Sequence, residues 1–473
     1  MFSFPEACRF LNLSPKTFNP SRQVTGASID TRSLKPGDLF FALKGSRQDG
    51  HAYLEEAFRR GASGAVICSC FFDEHAARFL DGSELFQNLL PVPDPEKTLR
   101  DLAAWNRSRA DIPVIGITGS VGKTSTKEFL SYLLGKRSPL LASSGNFNNH
   151  LGLPLTLLGL DPSHRYCVAE LGANHIGEIK FLSALLKPTA GIITQISPAH
   201  LEGFGSLGGI YQAKLELFEA LPKGAIAVIP DDDILLIQKA QKLKLNLIRV
   251  GTSRDAEFRI SAISLENGAV SFSAKEGYRF SFPAAAAFFA RNAAMALAMV
   301  DAMGIPFNEI PETWEDFKLP SGRFQEKRLG SGIRVIYDGY NASPASFLKA
   351  LESFEALPVI GRKILVLADM LELGREEKIL HEELGRQIAG FDFDCALAYG
   401  ERAQAVIQTI QSENRSMQAC HFRDSRELTD FLLTQVKTGD CLLLKASRGM
   451  KVEEVMNLLE EKLRFSPAGC QIA

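Results

Sequence analysis

The chain has 473 residues, of which 45% are hydrophobic, enough for about three domains with separate cores. Its 53 basic and 55 acidic residues nearly cancel, so we expect no nucleic-acid partner and no surface for anionic membranes. The first residues lack a basic leader and no run of about 18 apolar residues occurs, which predicts a cytoplasmic protein without a transmembrane segment. The eight cysteines are scattered and form no CxxC pair, which predicts reduced, buried thiols.

The first hundred residues show the pattern of a small α/β domain. The turn Pro36-Gly37-Asp38 precedes an apolar strand, and an amphipathic helix follows at 53–60. Polar residues occupy two connections at strand ends, Asp30-Thr31-Arg32 and Asp49-Gly50-His51. Such residues either bind a ligand or form solvated turns, and their pattern leaves both alternatives open.

The stretch VIGITGSVGKTSTKEFLSYLL, from Val114 to Leu134, predicts a strand, a glycine turn and a helix in that order. Backbone N–H groups of such a turn converge on phosphate oxygens, and the helix N-terminus adds its positive dipole end. Lys123 would supply a cation and Thr124 a hydroxyl for Mg²⁺. Ile117 stands where the usual eight-residue motif has glycine, so a glycine-rich turn without a ligand is the alternative.

After this helix, strand and helix patterns recur and predict a parallel, doubly wound sheet, whose ligands bind at the carboxyl ends of strands. Glu170 ends an apolar strand, where a buried carboxylate needs a partner or a metal ion. By position alone, His200 and Lys214 are more typical of a structural histidine and a solvated lysine. The small-residue pattern predicts a helix from Ala284 to Met303. Asn292, on this helix, is either a packed polar residue or a contact to a nucleotide base.

Proline-containing segments near Pro91 and Pro320 divide the chain into three predicted domains. We expect a small N-terminal α/β domain over 1–97, a central phosphate-loop ATPase domain over 98–318 and a Rossmann-like α/β domain over 319–473. In the last domain, buried strands again end in polar clusters, one of which begins at Asp338. The predicted fold class is therefore α/β throughout.

Motifs spread from Asp30 to Lys451 resemble, in order, those of the Mur ligases, a family of ATP-dependent amide-forming enzymes that build the peptidoglycan stem peptide. They are TGSVGKTSTKE, GNFNNHLGLPLTLL, AELGANHIGEI, AHLEGFGS, AKLELF, SGRF, YDGYNASPASF, LADMLELG and KASRGMKVE. Within the family, YDGYNASP and DMLELG are similar to the members that add D-alanyl-D-alanine to UDP-N-acetylmuramoyl-tripeptide. The Asn-Pro-Arg motif expected of the members that act one step earlier is absent from the last domain.

The resemblance implies roles for residues in all three domains. The ATP phosphates would be bound by Gly119, Ser120, Val121, Gly122, Lys123, Thr124 and Ser125, and the rest of the nucleotide by Asn292, Arg323 and Asp338. One Mg²⁺ would be bound by Thr124 and a second by Glu170, His200 and a carbamylated Lys214. Catalysis would depend on Lys123, Glu170, His200 and Lys214. The UDP-sugar and peptide substrates would contact Thr31, Arg32, Asp49, His51 and Asn341.

The resemblance also implies a monomer that uses ATP and Mg²⁺ and whose domains close over the nucleotide. The sequence departs from the family pattern at Arg291, Met295 and His150, which affects the expected adenine contact and the local substrate geometry. The alternatives are another ligase of the same fold, such as the third-step ligase or a folylpolyglutamate synthase, and a nucleotide-binding scaffold without catalysis. The sequence leaves open whether the accepted tripeptide ends in diaminopimelate or lysine.

Overall fold

The computed structural model of the protein describes residues 2–13, 23–46, 48–76, 88–275, 277–330 and 332–464. Within these ranges the chain forms three α/β units, each built around its own mainly parallel sheet, together with a short two-stranded sheet near the N-terminus. The predicted α/β fold class is confirmed. No helix in the described ranges has the length and apolar character needed to cross a membrane.

The N-terminal unit contains a four-stranded parallel sheet in the order β3-β4-β5-β6. Its strands are β1 (Phe2–Ser3), β2 (Gln23–Val24), β3 (Gly26–Ser28), β4 (Asp38–Phe41), β5 (Gly64–Cys68) and β6 (Leu89–Val92), of which β1 and β2 pair separately. Its helices are α1 (Phe4–Phe10), α2 (Leu54–Arg59) and α3 (Ser69–Glu74). Pro91, predicted to lie in a linker, instead lies in β6, because an edge strand tolerates a residue that cannot donate a hydrogen bond.

The cysteine prediction is wrong at one place. The structure joins Cys68 and Cys70 in a disulfide, since β5 ends at Cys68 and the chain turns at once into α3, which brings the two sulfurs together. The cysteines that are free in the described ranges are Cys8, Cys167, Cys395, Cys420 and Cys441. Cys470 lies outside the described residues.

Helix α4 (Pro95–Ser108) connects the first unit to the second. The Asp94 side chain caps it by accepting a hydrogen bond from the Lys97 backbone N–H at 2.9 Å, and Pro95 occupies the first turn, where no donor is needed. At its other end, the buried Arg107 guanidinium donates to the backbone carbonyl of Leu186 at 2.8 Å. The domain boundary predicted between 97 and 98 therefore falls in the first turn of this helix.

The central unit contains a nine-stranded sheet in the order β8-β9-β7-β10-β11-β12-β13-β14-β15. Its strands are β7 (Val114–Thr118), β8 (Leu140–Ala142), β9 (Tyr166–Glu170), β10 (Ala190–Ile193), β11 (Ile226–Pro230), β12 (Asn246–Gly251), β13 (Phe258–Glu266), β14 (Ala269–Ala274) and β15 (Tyr278–Pro283). The last two strands, β14 and β15, pair antiparallel and extend the otherwise parallel sheet. After β7 the chain adds β8 and β9 on one side of this strand and then β10 on the other side. The carboxyl end of β7 is therefore the switch point where ligands bind in such sheets.

Helices cover both faces of this sheet. They are α5 (Lys123–Gly135), α6 (Gly152–Leu158), α7 (Glu178–Leu186), α8 (Leu201–Phe204), α9 (Leu207–Glu219), α10 (Ile234–Ala240) and α11 (Phe289–Ala302). The pattern predicted α11 from Ala284, but the Ala284 backbone N–H donates to Gly268 at 3.1 Å and so extends the β hairpin instead. On α5, Phe129 stacks on Phe317 with ring centres 4.2 Å apart, which ties the helix that follows the glycine turn to the segment leading into the third unit.

The C-terminal unit contains a six-stranded sheet in the order β16-β17-β21-β18-β19-β20, with only β16 antiparallel. Its strands are β16 (Gln325–Arg328), β17 (Arg334–Asp338), β18 (Lys363–Ala368), β19 (Cys395–Tyr399), β20 (Gln418–Phe422) and β21 (Cys441–Lys445). Its helices are α12 (Pro344–Glu355), α13 (Glu377–Ala389), α14 (Ala403–Glu413), α15 (Ser425–Gln435) and α16 (Glu453–Arg464). The carboxyl ends of β17, β18 and β21 lead into residues that line a cavity shared with the central unit.

Candidate active site

The glycine turn after β7 requires glycine at two positions. Gly119 has a φ of +146° and Gly122 a φ of +91°, values that side-chain-bearing residues rarely adopt. A Cβ at Gly119 would lie 2.1 Å from Oγ1 of Thr194, and one at Gly122 would lie 2.4 Å from the Asn292 amide nitrogen. The turn is therefore packed so closely that only backbone atoms fit.

Backbone hydrogen bonds hold this turn in front of the N-terminus of α5. The Gln195 carbonyl accepts from the Ser120 N–H at 2.6 Å and, more weakly, from the Val121 N–H at 3.4 Å. The Lys123 ammonium donates to the carbonyls of Gly119 at 2.8 Å and Ser120 at 3.2 Å. Burial lowers the pKa of Lys123; the charge of Glu170 opposes this shift, and the charge of Arg323 adds to it. The next two residues of α5, Thr124 and Ser125, are buried.

A cavity of about 700 Å³ opens in front of the turn, between the central and C-terminal units. The predicted site residues that line it are Ser120, Val121, Gly122, Lys123, Glu170, His200, Arg323 and Asn341. His150, one of the departures from the family pattern, lines it as well. The structure thus brings together residues from the ends of strands in two different sheets.

Glu170, the last residue of β9, is only 2% exposed at the base of this cavity. Its Oε1 accepts a hydrogen bond from the Asn148 amide at 2.8 Å. Its Oε2 is buried and has no hydrogen-bond partner among the described residues. A buried acceptor without a donor is unfavourable by about 1–3 kcal/mol, and more for a charged group, so this oxygen is suited to a bound cation.

Lys214 lies on α9 and is buried, with 2% of its surface exposed. The prediction of a solvated lysine, made from its position alone, is wrong. In the described part of the chain its ammonium has no hydrogen bond or ion pair, and it lies 5.2 Å from the ring centre of Phe204. Burial, together with the nearby charge of Lys123, lowers the pKa of Lys214 to about 7. A substantial fraction of the amine is therefore neutral and nucleophilic near neutral pH.

His200 precedes α8 with a left-handed φ of +52°. Its Nδ1 pairs with the Glu372 carboxylate of the C-terminal unit. Burial lowers the pKa of His200, and Glu372 opposes that shift. One ring nitrogen is thus committed to a partner across the junction, which leaves Nε2 for any ligand.

Arg323 reaches from the start of the C-terminal unit to the glycine turn. Its Nη2 donates to Oγ1 of Thr124 at 3.0 Å, and its guanidinium carbon lies 3.9 Å from the ring centre of Tyr340. Nearby, the Asp338 carboxylate accepts from the buried Lys445 ammonium at 2.5 Å, and Lys445 also donates to the Asn341 carbonyl at 3.3 Å. Charged groups at the ends of β17 and β21 therefore form one connected network beside the turn.

Asn292, on α11, lies behind the turn. Its amide nitrogen donates to Oγ1 of Thr126 at 3.0 Å and to the Gly122 carbonyl at 3.4 Å, so the side chain supports the turn and keeps Oδ1 as an acceptor. It lines a smaller cavity of about 60 Å³, together with Ser125, Arg291, Met295, Arg323, Asp338 and Lys349. The departure Arg291 pairs with Asp232 at 2.8 Å.

None of the four predicted N-terminal residues, all of which are described, lines either cavity. Arg32 is exposed and pairs with Asp30 at 2.6 Å, as expected of a solvated turn, while Thr31 is buried. His51 is 7% exposed, and both of its ring nitrogens are engaged: Nδ1 with Asp49 at 2.6 Å and Nε2 with the Cys68 backbone N–H at 3.0 Å. The His51 ring therefore fixes its loop against β5.

Three family models match the chain in sequence order. The model described as "Mur ligase family, catalytic domain" matches residues 23–105, "Mur ligase middle domain" matches 117–300, and "Mur ligase, glutamate ligase domain" matches 322–448. The chain belongs to the Mur ligase family. The predicted family resemblance is thereby confirmed.

Similar proteins are known in several bacteria, under the name UDP-N-acetylmuramoyl-tripeptide--D-alanyl-D-alanine ligase. The one from Bacillus subtilis is 33% identical over 449 residues, which cover 94% of this chain and 96% of the relative. The one from Escherichia coli is 31% identical over 451 residues, covering 93% and 94%.

Solved Mur ligase structures are similar over almost the whole chain. MurF from Acinetobacter baumannii has a TM-score of 0.81 and 27% identity, covering 97% of this chain and 99% of that one. MurF ligase from Thermotoga maritima, solved in complex with ADP, has a TM-score of 0.76 and 27% identity, covering 93% and 98%.

Several side chains that hold this Mur ligase site together were not predicted individually. Asn148 and Glu372 lie in motifs that the sequence does show, GNFNNH and DMLELG. Lys445 ends the otherwise apolar strand CLLLK, and a lysine at such a position indicates a buried charge. No local pattern, however, predicts that the Lys349 ammonium on α12 donates to the Gln195 side chain beside the glycine turn.

The donor set of this Mur ligase fits Mg²⁺ in its chemistry. The free Oε2 of Glu170 and the hydroxyl of Thr124 are hard oxygen ligands, which Mg²⁺ prefers. In the described ranges no three His, Cys, Asp or Glu side chains converge as a ready-made metal cluster. A further oxygen ligand from a carbamylated Lys214 would supply the negative charge that the unmodified lysine lacks.

Replacement of Gly122 by alanine tests the turn. The added Cβ meets Asn292 at 2.4 Å, and the left-handed backbone itself is unfavourable by about 1–2 kcal/mol for alanine. We expect Gly122→Ala to lower the affinity for ATP about 10-fold or more, measured by isothermal titration calorimetry. Gly224→Ala is the matched control, because Gly224 has a φ of +77° with nothing within 4 Å of the added Cβ. Wild-type ATP affinity in Gly122→Ala would contradict the assignment of this turn to phosphate.

Proposed function

We propose that this Mur ligase joins D-alanyl-D-alanine to UDP-N-acetylmuramoyl-tripeptide, with conversion of ATP to ADP and phosphate. The observation that carries the proposal is the junction of two units at one phosphate-type turn. Lys123 of the central unit and Arg323 of the C-terminal unit both donate hydrogen bonds at this turn, beside the free carboxylate oxygen of Glu170. The relatives named UDP-N-acetylmuramoyl-tripeptide--D-alanyl-D-alanine ligase match more than nine-tenths of the chain, and this supports the choice of substrates.

The chemistry requires two anions to meet. In the first step an oxygen of the tripeptide carboxylate attacks the γ-phosphorus of ATP, the bond to the bridging oxygen breaks, and ADP leaves. In the second step the dipeptide amine attacks the carbonyl carbon of the acyl phosphate, loses a proton, and phosphate leaves with the bonding electrons. Lys123 and Arg323 would lower the repulsion between the anions, and closure of the C-terminal unit over the cavity would protect the acyl phosphate from hydrolysis.

The metal fits the same set of residues. Thr124 would hold one Mg²⁺, and Glu170, a carbamylated Lys214 and Nε2 of His200 would hold a second. Bound there, Mg²⁺ supplies positive charge that offsets the charge of the phosphoryl group during transfer. Carbamylation joins CO₂ to the neutral amine with loss of one proton, and the lowered pKa of Lys214, about 7, makes that amine available.

The remaining predicted residues are assigned to binding. The turn from Gly119 to Ser125 would bind the ATP phosphates, Oδ1 of Asn292 the base, and Asp338 the rest of the nucleotide beside Lys445. Thr31, Arg32 and Asp49 would contact the UDP-sugar, and His51 would stabilise the loop that carries Asp49. Asn341 would contact the peptide part of the substrate. We place this activity in the cytoplasm, in a monomer with functional domains 1–97, 98–318 and 319–473.

The direct test is phosphate release from ATP and Mg²⁺ in the presence of UDP-N-acetylmuramoyl-tripeptide, with and without D-alanyl-D-alanine. We expect release to require both substrates, because the amine consumes the acyl phosphate. Mass spectrometry of the product should show the UDP-muramoyl-pentapeptide. Release with a single amino acid as the acceptor would instead identify another ligase of this fold, and ATP binding without any release would identify a non-catalytic scaffold.

Replacement of Lys214 tests the proposed carbamate. Lys214→Ala should lower kcat about 100-fold or more, because the oxygen ligand and its negative charge are lost. Acetate added to the assay should partly restore kcat, since the space vacated by the side chain can take a small carboxylate. Lys239→Ala, at an exposed lysine on α10, is the control and should keep wild-type kcat with or without acetate. Unchanged kcat in Lys214→Ala would rule out the carbamate as a metal ligand.

A further inference from the structure

The segment after β21 presents an arginine to the cavity on a fixed backbone. Ser447 is buried, and its hydroxyl accepts from the Leu371 backbone N–H at 2.9 Å. The next residues, Arg448–Met450, form one turn of 3₁₀ helix, whose Met450 carbonyl accepts from the Tyr399 hydroxyl at 2.7 Å. Both ends of the turn are thus anchored, while Arg448 itself is exposed and lines the cavity.

Among the described residues the Arg448 guanidinium has no polar partner, whereas Lys123, Arg323 and His200 are hydrogen-bonded. Lys123 donates to carbonyls of the glycine turn, Arg323 donates to Thr124, and His200 pairs with a glutamate. Among the described residues the Arg448 guanidinium has neither an ion pair nor a hydrogen bond, and its contact is with the ring of Tyr340, whose centre lies 5.4 Å from the guanidinium carbon. It is therefore a positive charge available to a ligand at the C-terminal side of the cavity.

The Tyr340 ring contacts both Arg448 and Arg323, so Arg448 lies near the phosphate end of the site. The guanidinium carbons of Arg323 and Arg448 lie 3.9 Å and 5.4 Å from the centre of the same Tyr340 ring. An extended dipeptide spans at most about 7 Å, two residues of chain. A dipeptide with one end at Arg448 can therefore place its other end near Arg323 and Thr124, where phosphate chemistry is proposed to occur.

Charge decides which end of the dipeptide faces Arg448. Planar carboxylates are bound bidentately by guanidinium groups, whereas an ammonium group would be repelled. We propose that Arg448 binds the C-terminal carboxylate of the incoming dipeptide and thereby directs its amine to the acyl phosphate. This inference rests on the proposed function and adds to it the residue that selects a free carboxylate on the amine substrate.

The test compares D-alanyl-D-alanine with D-alanyl-D-alaninamide, which lacks the negative charge, using kcat/KM for ligation. Wild-type protein should prefer the acid by about 10- to 100-fold, the range expected for one charge-assisted hydrogen-bonded pair. Arg448→Met should raise KM for the acid by a similar factor, leave KM for ATP unchanged and use the two acceptors almost equally. Arg448→Lys, which keeps the charge without the planar fork, should retain part of the preference. Arg415→Met, at an exposed arginine of the same unit that does not line the cavity, should behave as wild type.

Failure of this inference differs from failure of the proposed function. If Arg448→Met keeps the wild-type preference for the acid, the carboxylate is bound elsewhere and the inference is overturned while the ligase assignment stands. If the variant instead raises KM for the UDP-linked peptide alone, Arg448 binds that substrate and the inference is equally overturned. If wild-type protein ligates neither acceptor, the proposed function itself fails.

Discussion

The hydrogen bond from Arg323 to Thr124 joins two sheets at the point where their ligand-binding edges meet. A second contact, from Lys349 to Gln195, lies beside it, and a third joins His200 to Glu372. Each pair takes one residue from the central unit and one from the C-terminal unit. Neither unit alone therefore supplies all of the charged groups that line the cavity, and the cavity is complete only while these contacts persist.

The site also depends on buried charged groups that lack a full set of hydrogen-bond or ion-pair partners. Lys445 and Asp338 compensate each other, so that pair mainly fixes the end of the C-terminal sheet. Glu170 and Lys214 are different, because one carboxylate oxygen and one amine remain without a described partner deep in the protein. Such groups destabilise the fold unless a ligand or modification satisfies them, which is the expected pattern for residues kept for chemistry rather than stability.

Most of the fold and part of the site could be predicted from local sequence. The glycine turn, the strand ending at Glu170 and the buried strands of the last unit follow from periodicity and apolar runs, which act over a few residues. Burial of Lys214 does not follow in this way, because it is produced by packing of α8 and α9 and not by the helix pattern itself. The pairing of His200 with Glu372, 172 positions apart, is likewise a product of how two domains meet. The Cys68–Cys70 disulfide and the late start of α11 depend on turn geometry that a strand or helix period does not contain.

Closure of the C-terminal unit over the glycine turn is the proposed event that assembles the site. Small-angle X-ray scattering of the full chain, alone and with a non-hydrolysable ATP analogue plus UDP-N-acetylmuramoyl-tripeptide, measures that event directly. The radius of gyration should fall when both ligands are present, and Arg323→Ala should reduce the fall because the contact to Thr124 is lost. An unchanged radius of gyration in the wild-type protein at saturating ligand would contradict ligand-driven closure.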